Sequence, residues 1–133
     1  MGSQRKLVHV ERIPIRWGDM DAMGHVNNTV YFRYMEQARI SWFDVLVPEE
    51  AAWKETGIVV ANCSCNFKRP INYPGTVDVQ LFIGELGGSS VPTFYELSVN
   101  GELYADGAAT VVFIDMQKQK PVRIPQAIRE VLQ

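Results

Sequence analysis

A single long stretch of this chain spaces its apolar residues at the helical period. Tyr31, Tyr34, Met35, Ala38, Trp42 and Val45 recur at i, i+3, i+4, i+7, i+11 and i+14. That spacing predicts an amphipathic helix from about Asn27 to Leu46. Phe32, Ile40 and Phe43 widen its apolar face, so it is expected to be covered on more than one side. Pro48 marks its end, and Glu49 to Thr56 reads as a short second helix stopped by Gly57.

The sequence on either side alternates instead. Val8, Val10, Ile13, Ile15 and Trp17 form two alternating sets around Glu11-Arg12, a first strand with a bend or bulge there. Pro14 suits an edge position. Ile58 to Phe67 is a second strand, and the turn Pro70 to Gly75 follows it. Val77, Val79, Leu81 and Ile83 alternate with Asp78, Gln80 and Phe82 in a third. Gly87-Gly88-Ser89-Ser90 is a turn, and Val91 to Val99 is a strand interrupted early by Pro92. Asn100-Gly101 signals a tight hairpin into a last strand, Leu103 to Ile114. Met116 to Lys120 reads as a polar loop, and Pro125 opens a short helix through Leu132. Short connections imply antiparallel pairing. The fold class is therefore α+β, one long helix on one face of a curved antiparallel sheet. The 133 residues show no repeat and no linker, so residues 1–133 are expected to form one domain.

Composition removes several function classes. The formal net charge is -2, and no interior basic cluster exceeds Lys68-Arg69, which argues against a nucleic-acid partner. No apolar run is long enough to span a bilayer. The polar start Met1 to Lys6 lacks a signal-peptide core, so a cytoplasmic location is expected. Cys63 and Cys65 share one face of a strand, too poorly placed for a bridge, and read as buried or half-buried free thiols.

The chemistry concentrates between the first strand and the helix, in Ile15 to Tyr31. This turn holds Asp19, Asp21 and His25 next to a helix start whose free N–H groups carry partial positive charge. Asp21 or Asp19 can simply cap the turn. Alternatively, a carboxylate here lies beside donors able to polarise a carbonyl oxygen, as an oxyanion site requires. His25 can serve as general acid or base, orient a substrate, or only bond within the loop. No further ligand completes a metal set with Asp19, Asp21 and His25. Gly24 provides backbone freedom or close approach for a ligand, and Asn27 and Asn28 are natural caps. Tyr31 can reach back to the loop or belong to the core. Glu36 and Arg39 can pair on the helix surface. His9 has no partner in sequence and reads as a surface residue.

The pattern D-x-D-x-x-G-H-V-N-N-x-x-Y-x-x-Y-x-E-x-x-R, from Asp19 to Arg39, resembles the 4-hydroxybenzoyl-CoA thioesterase family, most closely its broad bacterial acyl-CoA thioesterase branch. Asn66-Phe67-Lys68-Arg69-Pro70 matches that family's strand-end pattern, and the order of elements agrees along nearly the whole chain. The resemblance implies a hot-dog fold, with the sheet wrapped around the long helix. It also implies a homodimer or homotetramer with acyl-CoA sites at the subunit interface. By the same resemblance Asp21 is the catalytic carboxylate, either nucleophile or general base. The helix-start N–H near Asn28 holds the thioester oxygen, and His25 assists. Gly24, Val26 and Tyr31 are the residues expected at the substrate, with Lys68 and Arg69 as candidates for the CoA phosphates or as partners of local carboxylates. Some relatives place basic residues in the turn that here reads Gly87 to Ser90.

The expected function is hydrolysis of an acyl-CoA to a free acid and CoA, without metal or organic cofactor, membrane or nucleic acid. Two rivals share the scaffold: a non-catalytic acyl-CoA or acyl-carrier binding module, and a hydratase or dehydratase.

Overall fold

The strands among the described residues join one antiparallel sheet. The computed structural model describes residues 4–46 and 56–133. β1 is Lys6–Pro14, followed by a 3-10 turn at Trp17–Asp19 and then helix α1, Asn28–Leu46. Next come β2 (Thr56–Phe67), β3 (Thr76–Ile83), β4 (Ser90–Val99), β5 (Glu102–Asp115), the short β6 (Lys120–Pro121) and helix α2 (Gln126–Leu132). The strand order across the sheet is β1-β3-β4-β5-β2, with β6 added on β5. Pro48 and most of the expected second helix fall outside the described residues, and Thr56 opens β2 instead.

The inner face of the sheet follows the period-2 pattern. Val77, Val79, Leu81 and Ile83 of β3 are buried, as are Val91, Tyr95 and Leu97 of β4 and Val111 and Phe113 of β5. Tyr31, Tyr34, Met35, Ala38, Trp42 and Phe43 of α1 belong to the same core, and α1 packs on β1, β2 and β3. Burying one such side chain stabilises the fold by roughly 1.5–3 kcal/mol. Exposed ion pairs such as Arg33–Glu36 contribute about 0–1 kcal/mol each, so the α1–sheet layer decides the architecture. Gly107 on β5 lets the layers meet. A Cβ there would run into Met35 Sδ and lie 2.8 Å from the Ser64 carbonyl oxygen.

Several local expectations change. Pro14 does end an edge strand, but the bulge of β1 falls between Leu7 and His9, not at Glu11-Arg12. One extra residue reverses the parity of every position after it. Val10 is therefore exposed, while His9 and Glu11 turn inward and bond each other at 2.8 Å. His9 is thus half-buried and partnered. β4 runs unbroken through Pro92, because its pairing with β3 ends at Ile83–Thr93 and no donor is missed there. On α1, Val45 is 71% exposed and Ile40 also faces outward, so the apolar face is narrower than the pattern suggests. Arg39 does not pair with Glu36. It is 7% exposed and donates to the Tyr95 hydroxyl at 3.0 Å, while Glu36 meets Arg33. The polar stretch after β5 closes with β6 on β5. The Asn100-Gly101 hairpin has φ of 52° and 80°, as a two-residue type I′ turn needs. Cys63 is exposed and Cys65 half-buried, both free.

Candidate active site

The loop between the 3-10 turn and α1 closes on itself before it reaches the helix. Met20 and Val26 form an antiparallel bridge. Inside it the Asp21 N–H donates to the His25 carbonyl at 2.7 Å and the Gly24 N–H to the Asp21 carbonyl at 3.1 Å. Gly24 takes φ +82°, which favours glycine, and a Cβ there would meet open space. Of its two expected uses, backbone freedom is the one the geometry requires.

Asp19 and Asp21 separate by their bonds. Asp19 Oδ2 accepts from the Tyr34 hydroxyl at 2.9 Å and the Arg16 N–H at 3.0 Å. Its carbonyl accepts from the Asn27 N–H at 2.9 Å. Asp19 therefore ties the loop to β1 and α1. Burial and the Asp19 carboxylate both push the Tyr34 phenol's pKa upward, so it remains a donor. Asp21 commits only Oδ1, which accepts from the Met23 N–H at 2.9 Å and from the His25 N–H at 3.4 Å. No bond to Oδ2 occurs among the described residues. Asp21 thus caps its turn with one oxygen and offers the other.

The helix start is capped by Asn27, whose Oδ1 accepts from the Thr29 N–H at 2.9 Å and the Thr29 hydroxyl at 2.7 Å. The Val30 N–H donates to the Asn27 carbonyl at 2.9 Å. Asn28, first in the helix, has no residue four back within the helix to accept from its N–H. Asn28 and Asp21 line the same groove.

That groove has a volume of about 350 Å³. Asp21, Val26, Asn28 and Tyr31 come to it from the loop and helix, and Phe67, Lys68, Arg69 and Pro70 from the end of β2 and the segment beyond. Six of the eight residues expected at the site are therefore brought together. Gly24 and His25 stand off its lining. The His25 ring is held by Asn72, with Nδ1 2.7 Å from the Asn72 side-chain amide, and not by Asp21. Val26 is buried and its N–H donates to the Ile71 carbonyl at 2.8 Å.

Tyr31 is both core and groove. Its hydroxyl accepts from the buried Ile71 N–H at 3.1 Å and donates to the Arg69 carbonyl at 3.4 Å. Its ring meets Phe67 edge-on with centroids 4.9 Å apart. Burial raises its pKa above the ordinary 10.0, partly offset by the Ile71 N–H. Lys68 and Arg69 each have a local carboxylate: Lys68 Nζ lies 3.4 Å from Asp106 Oδ2, and Arg69 pairs with Glu102. Arg69 also stacks over the Tyr104 ring at 4.7 Å. Both cations reach the groove already neutralised within the chain. Cys65 is no poised nucleophile, since burial pushes its thiol up to about 11.

Phe67, Pro70 and Asn72 are the site residues that the sequence reading missed. The strand-end pattern Asn66 to Pro70 carried a signal for the first two. Asn72 lies 47 residues from His25, and no local spacing connects them.

An antiparallel sheet with one long helix against its inner face, and a carboxylate loop at that helix's start, define a hot-dog protein. The chain belongs to the Thioesterase-like superfamily, whose family model matches residues 15–132. It is 28% identical over 127 residues to the long-chain acyl-CoA thioesterase FadM of Escherichia coli (strain K12), covering 92% of this chain and 95% of that protein. The PA2801 protein of Pseudomonas aeruginosa superposes with a TM-score of 0.89 at 35% identity, over 96% of this chain and 100% of the other. A thioesterase of Thermus thermophilus, solved with coenzyme A and Zn, superposes with a TM-score of 0.84 at 33% identity, over 95% and 92% of the two chains.

Proposed function

We propose that this protein hydrolyses the thioester of an acyl-CoA to the free acid and CoA. Family membership makes it a thioester hydrolase. The acyl-CoA substrate is inferred from the relatives' names and the coenzyme A complex. The observation that carries the reading is the shared groove, in which a carboxylate with one free oxygen accompanies an uncapped helix-start N–H. The Asn28 N–H stabilises the oxygen of the tetrahedral intermediate. Asp21 Oδ2 then has two routes. It can take a proton from water, whose oxygen adds to the carbonyl carbon before the C–S bond breaks and CoA leaves as thiolate. It can instead attack that carbon itself, the C–S bond breaking and CoA leaving as thiolate, to give a mixed anhydride that water cleaves to the free acid and the Asp21 carboxylate. Thiolate is a good leaving group, so neither route needs a strong acid at sulfur.

Val26 and Tyr31 bound the acyl end in this reading, and Lys68 and Arg69 meet the CoA phosphates by exchanging Asp106 and Glu102 for them. The family match across residues 15–132 supports a single domain. A homodimer or homotetramer belongs to this reading, and β2 supports it. This 12-residue strand is an edge of the sheet, and Val59, Val60 and Phe67 on it are exposed. Phe67 also lines the groove, so a second copy on β2 would wall the site.

A panel of acyl-CoA substrates, assayed by free-thiol release, tests the activity. Asp21→Asn keeps the side-chain oxygen that caps the turn but loses the charge, and should lower kcat by about 10²-fold or more. A folded Asp21→Asn enzyme with full turnover would falsify the mechanism.

A further inference from the structure

His25 is exposed, yet its ring is not free. Nδ1 lies 2.7 Å from the terminal amide of Asn72, which follows the buried Ile71 in the turn after β2. The orientation of that amide is fixed by what else surrounds it. The terminal atom nearest Nδ1 is also 3.1 Å from the Gly24 carbonyl oxygen and 3.2 Å from the Ile71 carbonyl oxygen. An amide oxygen there would face two carbonyl oxygens and satisfy neither. An amide NH₂ there brings its two N–H donors to these three acceptors, Nδ1 the nearest, with one donor shared.

That orientation also assigns the tautomer of the imidazole. An amide nitrogen does not accept hydrogen bonds, so a contact of 2.7 Å between it and Nδ1 needs Nδ1 to be the acceptor. The ring proton then sits on Nε2, which has no partner among the described residues. The same contacts resist the alternatives. A proton on Nδ1 would place two donors face to face. Turning the amide to accept it would press its oxygen on the Gly24 and Ile71 carbonyls.

We propose that Asn72 is a positioning residue: it locks His25 as the Nε2–H tautomer, so that the exposed ring of His25, off the lining of the groove, presents a donor and not a base. The inference rests on the thioesterase reading for its last step only. It leaves Asp21 as the group that accepts a proton or attacks carbon, and gives each member of the loop a different task. Asn72 acts from outside the Asp19–Arg39 pattern, across the turn that Val26 and Tyr31 tether to the loop and helix.

The tautomer can be read without any turnover. In ¹⁵N-labelled protein at about pH 8, where an ordinary imidazole is neutral, long-range ¹H–¹⁵N spectra should show His25 Nδ1 unprotonated and Nε2 protonated. Asn72→Asp presents only acceptors and should move the proton to Nδ1, and Asn72→Ala should give a mixture. Both variants lie on an exposed turn, and circular dichroism checks that they fold. In the acyl-CoA assay Asn72→Asp should lower kcat at least about tenfold, with KM changing less. A wild-type His25 protonated on Nδ1 overturns the proposal. So does an Asn72→Asp enzyme whose tautomer and kcat match the wild type. If the tautomer is as stated but wild-type protein releases no CoA from any substrate, the thioesterase reading and the donor role fall together, while the Asn72 lock stands.

Discussion

Replacing Tyr31 by Phe removes one oxygen and nothing else, and the structure says what that oxygen does. It accepts from the buried Ile71 N–H at 3.1 Å and donates to the Arg69 carbonyl at 3.4 Å, so it fastens the segment after β2 to the first turn of α1. The ring stays in Tyr31→Phe, and with it the edge-on packing on Phe67. No cavity forms, and the cost reduces to the hydrogen bonds. The longer contact is near the limit of a useful bond and counts for little. The Ile71 N–H is the larger loss, because a buried donor left without a partner costs about 1–3 kcal/mol. With a urea slope of about 2 kcal/mol/M, the unfolding midpoint should fall by roughly 0.5–1.5 M at an unchanged slope. An unchanged slope matters, since a changed one would mean that the compactness of either state had altered.

The same substitution should reach the site, because residues 69–71 carry Arg69 and support one side of the groove. KM for acyl-CoA should rise in Tyr31→Phe more than kcat falls, since Asp21 and Asn28 are positioned by loop and helix bonds that the hydroxyl does not make. Urea unfolding followed by tryptophan fluorescence gives the first number and steady-state thiol release the second. A midpoint within about 0.2 M of wild type would refute the reasoning: the Ile71 N–H would then have another acceptor or reach water, at little cost.

Two further predictions concern the sheet and its phenols. Gly107→Ala places a methyl against Met35 Sδ and the Ser64 carbonyl, and should cost about 1–3 kcal/mol in urea unfolding. Adding Met35→Ala should recover none of the part due to Ser64, whose oxygen is backbone; a Gly107→Ala protein as stable as wild type would mean the layers do not approach this closely. Alkaline stability follows from Tyr31, Tyr34 and Cys65, whose pKa values in the fold all lie above their unfolded ones. Such groups contribute stability fully below the unfolded values, near 9 for the thiol and 10 for the phenols, and lose it as pH rises past them. Unfolding midpoints should therefore decline above about pH 9, less steeply in Tyr34→Phe; equal slopes in that variant and wild type would be the contrary result.

What could be read from the sequence divides along one line. Where local period decides, the elements come out: α1 from the 3.6 pattern (though Val45 and Ile40 face outward), β3 from strict alternation, the Asn100-Gly101 turn from its residues. Wherever a distant residue decides, the reading fails. Arg39 and Glu36 sit three apart and invite a surface pair, but Tyr95 on β4 takes the guanidinium into the core. Val10 looks apolar and inward until a single-residue bulge beside it reverses the strand. Pro92 looks like an interruption because nothing local reveals that β3 stops pairing there.

The candidate site obeys the same division, and this explains why the loop was legible while its wiring was not. Asp19 and Asp21 have the same charge and stand two residues apart, so composition cannot rank them. The family resemblance picks out Asp21, and the bonds distinguish the two: Tyr34 and Arg16 occupy Asp19, against only local backbone N–H groups on one oxygen of Asp21. His25 beside Asp21 suggests an acid–imidazole pair, yet the ring is turned to a residue 47 positions away. Catalysis at a carboxylate with no imidazole behind it suits a thioester in particular. An oxygen ester or amide would need a proton delivered to its leaving group, and a buried acid–base pair to supply it. A thiolate leaves unaided, so a carboxylate oxygen with no partner among the described residues and a helix-start donor are sufficient chemistry for the bond this fold is expected to break.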